Sequence, residues 1–170
     1  MSAFTLYQSP LDIAKKLFRE AGRVLHGQSL EDVVDHFFNF CVTHTALRDW
    51  TFEATNKNKS DHAAINTWRA RAGGLFGDFA DIGNSGKHLH LKTRQAITKD
   101  AQMQVVALSA YGIHPECTRN QQTVLIIRPD GTEVDLWKAF MLIAQEWQQI
   151  FHDELDTTLP NFVAFICEST

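Results

Sequence analysis

Three times along the chain a Ser or Thr stands three residues ahead of an aspartate, at the head of an apolar stripe: Ser9 with Asp12, Ser29 with Asp32, and Thr132 with Asp135. Such a pair satisfies the free N–H groups of a first helical turn, so each pair marks a helix start. Long apolar segments delimited in this way have to bury helix against helix. The first box, with Pro10 at the first helical position, predicts a helix over 10–26 with a stripe of Leu11, Ala14, Phe18, Ala21 and Leu25. The second predicts a helix over 29–53. There Leu30, Val33, Val34, Phe37 and Cys41 form one stripe, while Phe40, Leu47 and Trp50 lie on another side. A helix apolar on two sides is central. The third predicts a helix over 133–156 carrying two neighbouring stripes, one of Val134, Trp137, Met141 and Ala144 and one of Leu136, Phe140, Ile143 and Trp147.

A further helical region is expected over 61–91. Asp61 caps it, Gly73 and Gly74 break or kink it, and Leu75, Phe76, Phe79 and Ile82 resume the pattern. Segments 102–110 and 122–128, rich in β-branched residues, predict two strands, joined by a loop over 112–121 and followed by a Pro-Asp-Gly turn. The C-terminal "NFVAFIC" fits a strand or a last helical turn. The fold expected is mainly α, a single four-helix-bundle-like domain over 1–170 with a two-stranded β insertion before the last long helix.

Composition narrows the function. With 16 basic and 20 acidic residues the formal charge is -4, which supplies no general field for a polyanion, so nucleic acid would have to meet a local basic patch. Cys41, Cys117 and Cys167 form no C-x-x-C pair, and an odd count without a signal-like leader predicts reduced thiols in the cytoplasm. No apolar run approaches the roughly 20 residues of a membrane span, so no membrane partner is expected. Nucleotide-loop, dinucleotide, nucleophile-elbow and H-E-x-x-H motifs are missing, and no cofactor is implied. His88, His90, His114 and Cys117 have only short, common spacings, and no metal site is expected from them.

The polar residues that interrupt the apolar pattern are the candidates for a site. The second helix continues its stripe from Phe37 and Cys41 into His44 and Arg48, with Asp49 and Trp50 beside them. In the third region Asp81, Asn84 and His88 are spaced three and four apart, with Lys87 adjacent and Gly83 and Gly86 allowing another backbone to come close. Antiparallel packing would bring the two groups together, either as a satisfied network that fixes register or as a pocket for acid–base work. Arg69 and Arg71, near Trp68, read as the solvated face of a helix.

The stretch "GNSGKH" resembles the R-N-x-x-x-H type of motif of the HEPN superfamily of helical bundles. Asn84 and His88 match, and Gly83 stands at the Arg position. The resemblance implies a metal-independent ribonuclease or RNA-binding component of toxin–antitoxin or phage-defence systems, a homodimer whose partners are RNA or a nucleotide and an antitoxin-type protein. His88, Arg48 and Asn84 would then be catalytic, with Arg48 standing in for the missing arginine. Lys87, Asp49, Asp81, His44 and Trp50 would bind or orient. The alternative is a non-catalytic dimerisation or small-ligand-binding module.

Overall fold

The computed structural model describes residues 5–85, 97–109 and 112–167, with side chains left aside at 100, 102–121 and 167. The fold is mainly helical, with a small antiparallel sheet before the last long helix. Helix α1 runs Pro10–His26 and α2 runs Leu30–Ala54. The boxes at their heads are formed. Asp12 accepts from the Ser9 main chain at 3.0 Å, and the Ser29 hydroxyl accepts from Asp32 N–H at 3.1 Å. Donors on both Gln8 and Ser9 hold the Asp12 carboxyl below its ordinary pKa.

The expected 61–91 helix is instead two. Helix α3 covers His62–Arg69, with Asp61 accepting from Ala63 and Ala64 N–H groups, and α4 covers Leu75–Ser85. Between them lies a tight turn, Arg71–Gly74, in which Ala72 and Gly73 adopt left-handed φ values of 51° and 63°. The chain turns through positive φ at Ala72, Gly73 and Gly74, a conformation that only the two glycines adopt without a Cβ clash. Residues 86–91 of that expectation lie outside the described residues.

The β insertion is longer than expected and has three strands. Strand β1 is Ile97–Ser109, β2 is Gly112–Ile127 and β3 is Glu133–Asp135, in the order β1-β2-β3. The expected 112–121 loop is part of β2. The ladder runs from Ile97 opposite Ile127 to Val106 opposite Thr118, then resumes with Ala107 opposite His114. Residues 115–117 fall in that irregularity, where Pro115 has no N–H to give to a ladder. Thr132 does not start the last helix, because β3 pairs Glu133 to Asp135 with Ile127 to Leu125. The helix begins three residues later than expected. Asp135 caps it, accepting from Lys138 N–H at 3.0 Å, and α5 runs Leu136–Leu155. The C-terminal segment is a short helix, α6, Phe162–Cys167.

Helix α2 is central, against α1 on one side and α4 on the other, while α6 closes over α1. Two glycines make these contacts. A Cβ on Gly83 would lie 2.9 Å from the Cys41 carbonyl oxygen, so α4 crosses the α2 backbone at a distance that only hydrogen allows. A Cβ on Gly22 would run into the Phe165 carbonyl of α6. Between α1 and α2 the buried Glu20 carboxylate meets Lys16 at 3.3 Å, Arg23 at 2.9 Å and His36 at 3.2 Å. At the foot of the sheet Arg128 donates to Asp78 at 2.7 Å and to the Gly73 carbonyl at 2.9 Å, tying β2 to the Arg71–Gly74 turn.

Aromatic rings fill the centre. Phe40 and Phe140 lie 4.5 Å apart, and Phe76 stacks on Trp147 at 5.2 Å. Together with Phe37, Phe79 and Phe151 they form one cluster shared by α2, α4 and α5. Rings of this size dominate the apolar burial of a core, so this cluster fixes where the helix ends meet and what they enclose.

Candidate functional site

His44 stands inside this cluster and is fully buried. Its Nδ1 accepts from Trp147 Nε1–H at 3.1 Å, and Phe76 meets the ring edge-on at 4.7 Å. Burial lowers its pKa to about 3, partly opposed by the Phe76 main chain, so the imidazole is neutral at physiological pH. In this tautomer Nε2 carries the proton, and the Phe76 main chain, which favours that proton, does not meet it in hydrogen-bonding geometry. His44 is therefore walled off from any substrate. What it does is hold the indole of Trp147.

The other anticipated residues divide between two places. Arg48 donates from Nε and Nη2 to Asp49 Oδ1 at 2.9 and 2.6 Å, and its guanidinium lies 5.2 Å from the centre of the Trp68 ring. Asp49 also lines a hollow of about 130 Å³ between α2 and α4, together with Val42, Thr45, Ala46, Gly83 and Asn84. Asp49 and Asn84 thus share one lining. Asp81 turns away to α3, where Arg69 Nη2 donates to both its oxygens at 2.8 and 2.7 Å. Trp50 packs against the core. Lys87 and His88 lie outside the described residues, as do His90 and the side chains of His114 and Cys117. The position of Gly83 is filled by the backbone of α2, which leaves no room for a side chain there.

A second cavity, of about 140 Å³, lies between the C-terminal half of α2, helix α3 and α5. Its walls are apolar and largely aromatic: Phe52 from α2, Ala64 and Trp68 from α3, Trp147 and Ile150 from α5. Thr51 and Thr67 also line it, the Thr67 hydroxyl donating to the Ala63 carbonyl. Around it stand Lys57, Arg71 and Glu154. Lys57 pairs with Glu154 at 2.7 Å, and Arg71 pairs with Glu146 at 3.2 Å and Glu154 at 3.7 Å. The charges offset one another.

Two side chains of this cavity are unusual. Thr51 Oγ1 and Trp68 Nε1, like His44 Nε2, are buried without a hydrogen-bond partner among the described residues. A buried donor left unsatisfied costs on the order of 1–3 kcal/mol, but neither atom is reached by solvent and so neither opens onto the cavity. Sequence reasoning missed this place because Thr51, Trp68 and Trp147 come from three helices and each reads alone as a core residue. The one available signal was "TWRARAGG", read as a solvated face. In the structure Trp68 is buried, Arg69 serves Asp81, and Arg71 serves the two glutamates.

Comparison of the chain with protein-family models, with curated proteins and with solved structures finds no match. No helix among the described residues is long and apolar enough to cross a membrane. The described residues contain no group of three or more His, Cys, Asp or Glu side chains placed to hold a metal ion.

Proposed function

We propose that this protein is a small-ligand-binding helical module whose site is the cavity between α2, α3 and α5. One observation carries the reading: a hollow of about 140 Å³ between three helices, with Phe52, Ala64, Trp68 and Ile150 in its lining and the paired charges of Lys57, Arg71 and Glu154 around them. Concave, mostly apolar hollows with a few polar groups are the usual form of small-molecule sites. The buried imidazole of His44 supports it by fixing the Trp147 wall without offering a titrating group to the ligand. The test is a thermal-shift screen with a library of single-ring fragments, run on the wild type and on Ala64→Phe, which fills the cavity. Saturable stabilisation of the wild type that is lost in the filled variant is the expected result. A library that moves neither protein, or both equally, sinks the reading.

A second reading follows from the α2–α4 hollow, where Asp49 and Asn84 share one lining and Arg48 pairs with Asp49. In the HEPN-like, RNA-acting reading, this face would bind a phosphate or nucleotide, Arg48 would offset charge on its oxygens, and His88 would move the proton, with a homodimer completing the site. The protein would then act in the cytoplasm beside an antitoxin-type partner. Expression of wild type beside His88→Ala in bacteria tests it. Growth arrest and cleaved cellular RNA with the wild type alone would favour it, and equal growth with intact RNA in both would remove it.

A further inference from the structure

The sheet leaves one long edge open. Strand β1, Ile97–Ser109, is the outer strand of the order β1-β2-β3, and among the described residues its extensive contacts are with β2 alone. Strand β3 pairs with β2 only at Leu125 to Ile127, so from Asp100 opposite Val124 outward the sheet is a two-stranded ribbon. Such a ribbon is marginal by itself in water, and a third strand along it supplies what it lacks. We propose that the third strand is β1 of a second copy of this chain, laid antiparallel along β1 about a two-fold axis at Met103.

The two edges of the ribbon are not alike. Beyond β3 the edge of β2 is guarded: Pro115 has no N–H to give, residues 115–117 fall out of the register, and Glu116 and Arg119 add charge. From Ala101 outward β1 has none of these devices. It reads "AQMQVVALS", without a charge, a proline or a glycine, and an edge of that kind is a template for another strand. The base of the same strand is open as well. Thr98 and Lys99 are exposed there, and Ile97, a large apolar residue, is 61% exposed.

The sequence of β1 names the occupant. Met103 is the midpoint of Ile97–Ser109, and the residue classes around it run alike in both directions, Ala101-Gln102-Met103-Gln104-Val105. A two-fold axis at Met103 therefore pairs the whole of one β1 with the whole of the other. It sets Gln102 opposite Gln104 of the second copy and Ala101 opposite its Val105. Lys99 falls opposite Ala107 and Asp100 opposite Val106, so no like charges meet. Opposed residues alternate between pairs that exchange two backbone hydrogen bonds and pairs that exchange none, so the 13 rungs give about twelve to fourteen bonds. The antiparallel sense also keeps the helical bodies apart. Each lies at the base of its own ribbon, where Val124 and Ile126 enter the core, and the base of one ribbon lies beside the tip of the other.

The test is sedimentation equilibrium of the full-length protein, wild type beside two double variants of the same two positions. Gln102→Lys with Gln104→Lys sets lysine opposite lysine on both symmetry-related rungs and is expected to raise the dimer Kd about tenfold or more. Gln102→Lys with Gln104→Glu sets lysine opposite glutamate on both and is expected to bring the Kd within about threefold of wild type. Within one chain these positions face Gln122 and Asn120, which carry no charge, so the ribbon itself is indifferent to the exchange. Hydrogen exchange of the wild type needs no variant: the β1 amides are expected to exchange faster on dilution below the Kd, while those of α5 do not change. A wild type that stays monomeric at its highest soluble concentration would overturn the proposal and leave the edge to a strand of another protein. A dimer weakened equally by both variants, or by neither, would overturn the pairing of β1 with itself about Met103.

Discussion

Acid should destabilise this protein through a single buried ring, and the size of the effect can be worked out. The pKa of His44 is lowered from 6.5 to about 3 by burial in the aromatic cluster. Below pH 6.5 the unfolded chain takes up a proton at this position and the folded chain does not, so stability falls as the pH drops from there towards 3. At 1.36 kcal/mol for each tenfold change in proton activity, the loss is about 2 kcal/mol by pH ~5 and approaches 5 kcal/mol below pH ~3. Two kcal/mol is a large part of the roughly 5–15 kcal/mol that holds a domain together. The assay is urea denaturation at about pH 7.5 and about pH 5, for wild type and His44→Gln, whose side-chain carbonyl can still accept from Trp147 Nε1–H. The remaining histidines are common to both proteins, so the difference between the two pH dependences isolates this ring. Wild type is expected to lose about 2 kcal/mol more than the variant over that interval. Equal losses would show that the imidazole is not a buried neutral group, and would undo the account of how Trp147 is held.

Other substitutions probe the close contacts. Gly83→Ala places a methyl 2.9 Å from the Cys41 carbonyl oxygen, where only backbone could give way, and is expected to cost about 1–3 kcal/mol, read as a lower denaturation midpoint. Gly22→Ala strikes the Phe165 carbonyl, so α6 is expected to detach first, seen as faster hydrogen exchange over Phe162–Cys167 at little change in the exchange of α5. Arg128→Met leaves the Asp78 carboxylate, whose pKa burial already raises, without its cation. A raised folded pKa makes the deprotonated form the costly one, so this variant's deficit relative to wild type is expected to be larger at pH ~7 than at pH ~4 in paired denaturation curves.

The elements most legible in the sequence were those fixed by local chemistry. Ser9 with Pro10, Ser29 with Asp32, and Asp61 each start a helix through hydrogen bonds made within one turn, so no distant partner had to be known. Thr132 misled because the same residues could pair with β2, and a three-residue ladder outweighed an early cap. The 112–121 segment misled in the other direction: Pro115 and Gly112 look like loop residues, while the ladder on either side carries the strand past them. The polar stripe of α2 was visible, but its chemistry was not. Whether His44 is a base or a core residue depends on Trp68, Phe76 and Trp147, which approach from three other parts of the chain. Gly83 was noted as a place of close approach, and Cys41 is what approaches it. The cavity itself has no local signature, since its lining is assembled from α2, α3 and α5 and no one segment carries the pattern.

The most direct measurement is the electron density of the α2–α3–α5 cavity in crystals soaked with the fragment that stabilises the wild type most. The account predicts that fragment in the cavity, against Phe52, Ala64, Trp68 and Ile150. A cavity holding only water at a saturating fragment concentration would contradict it.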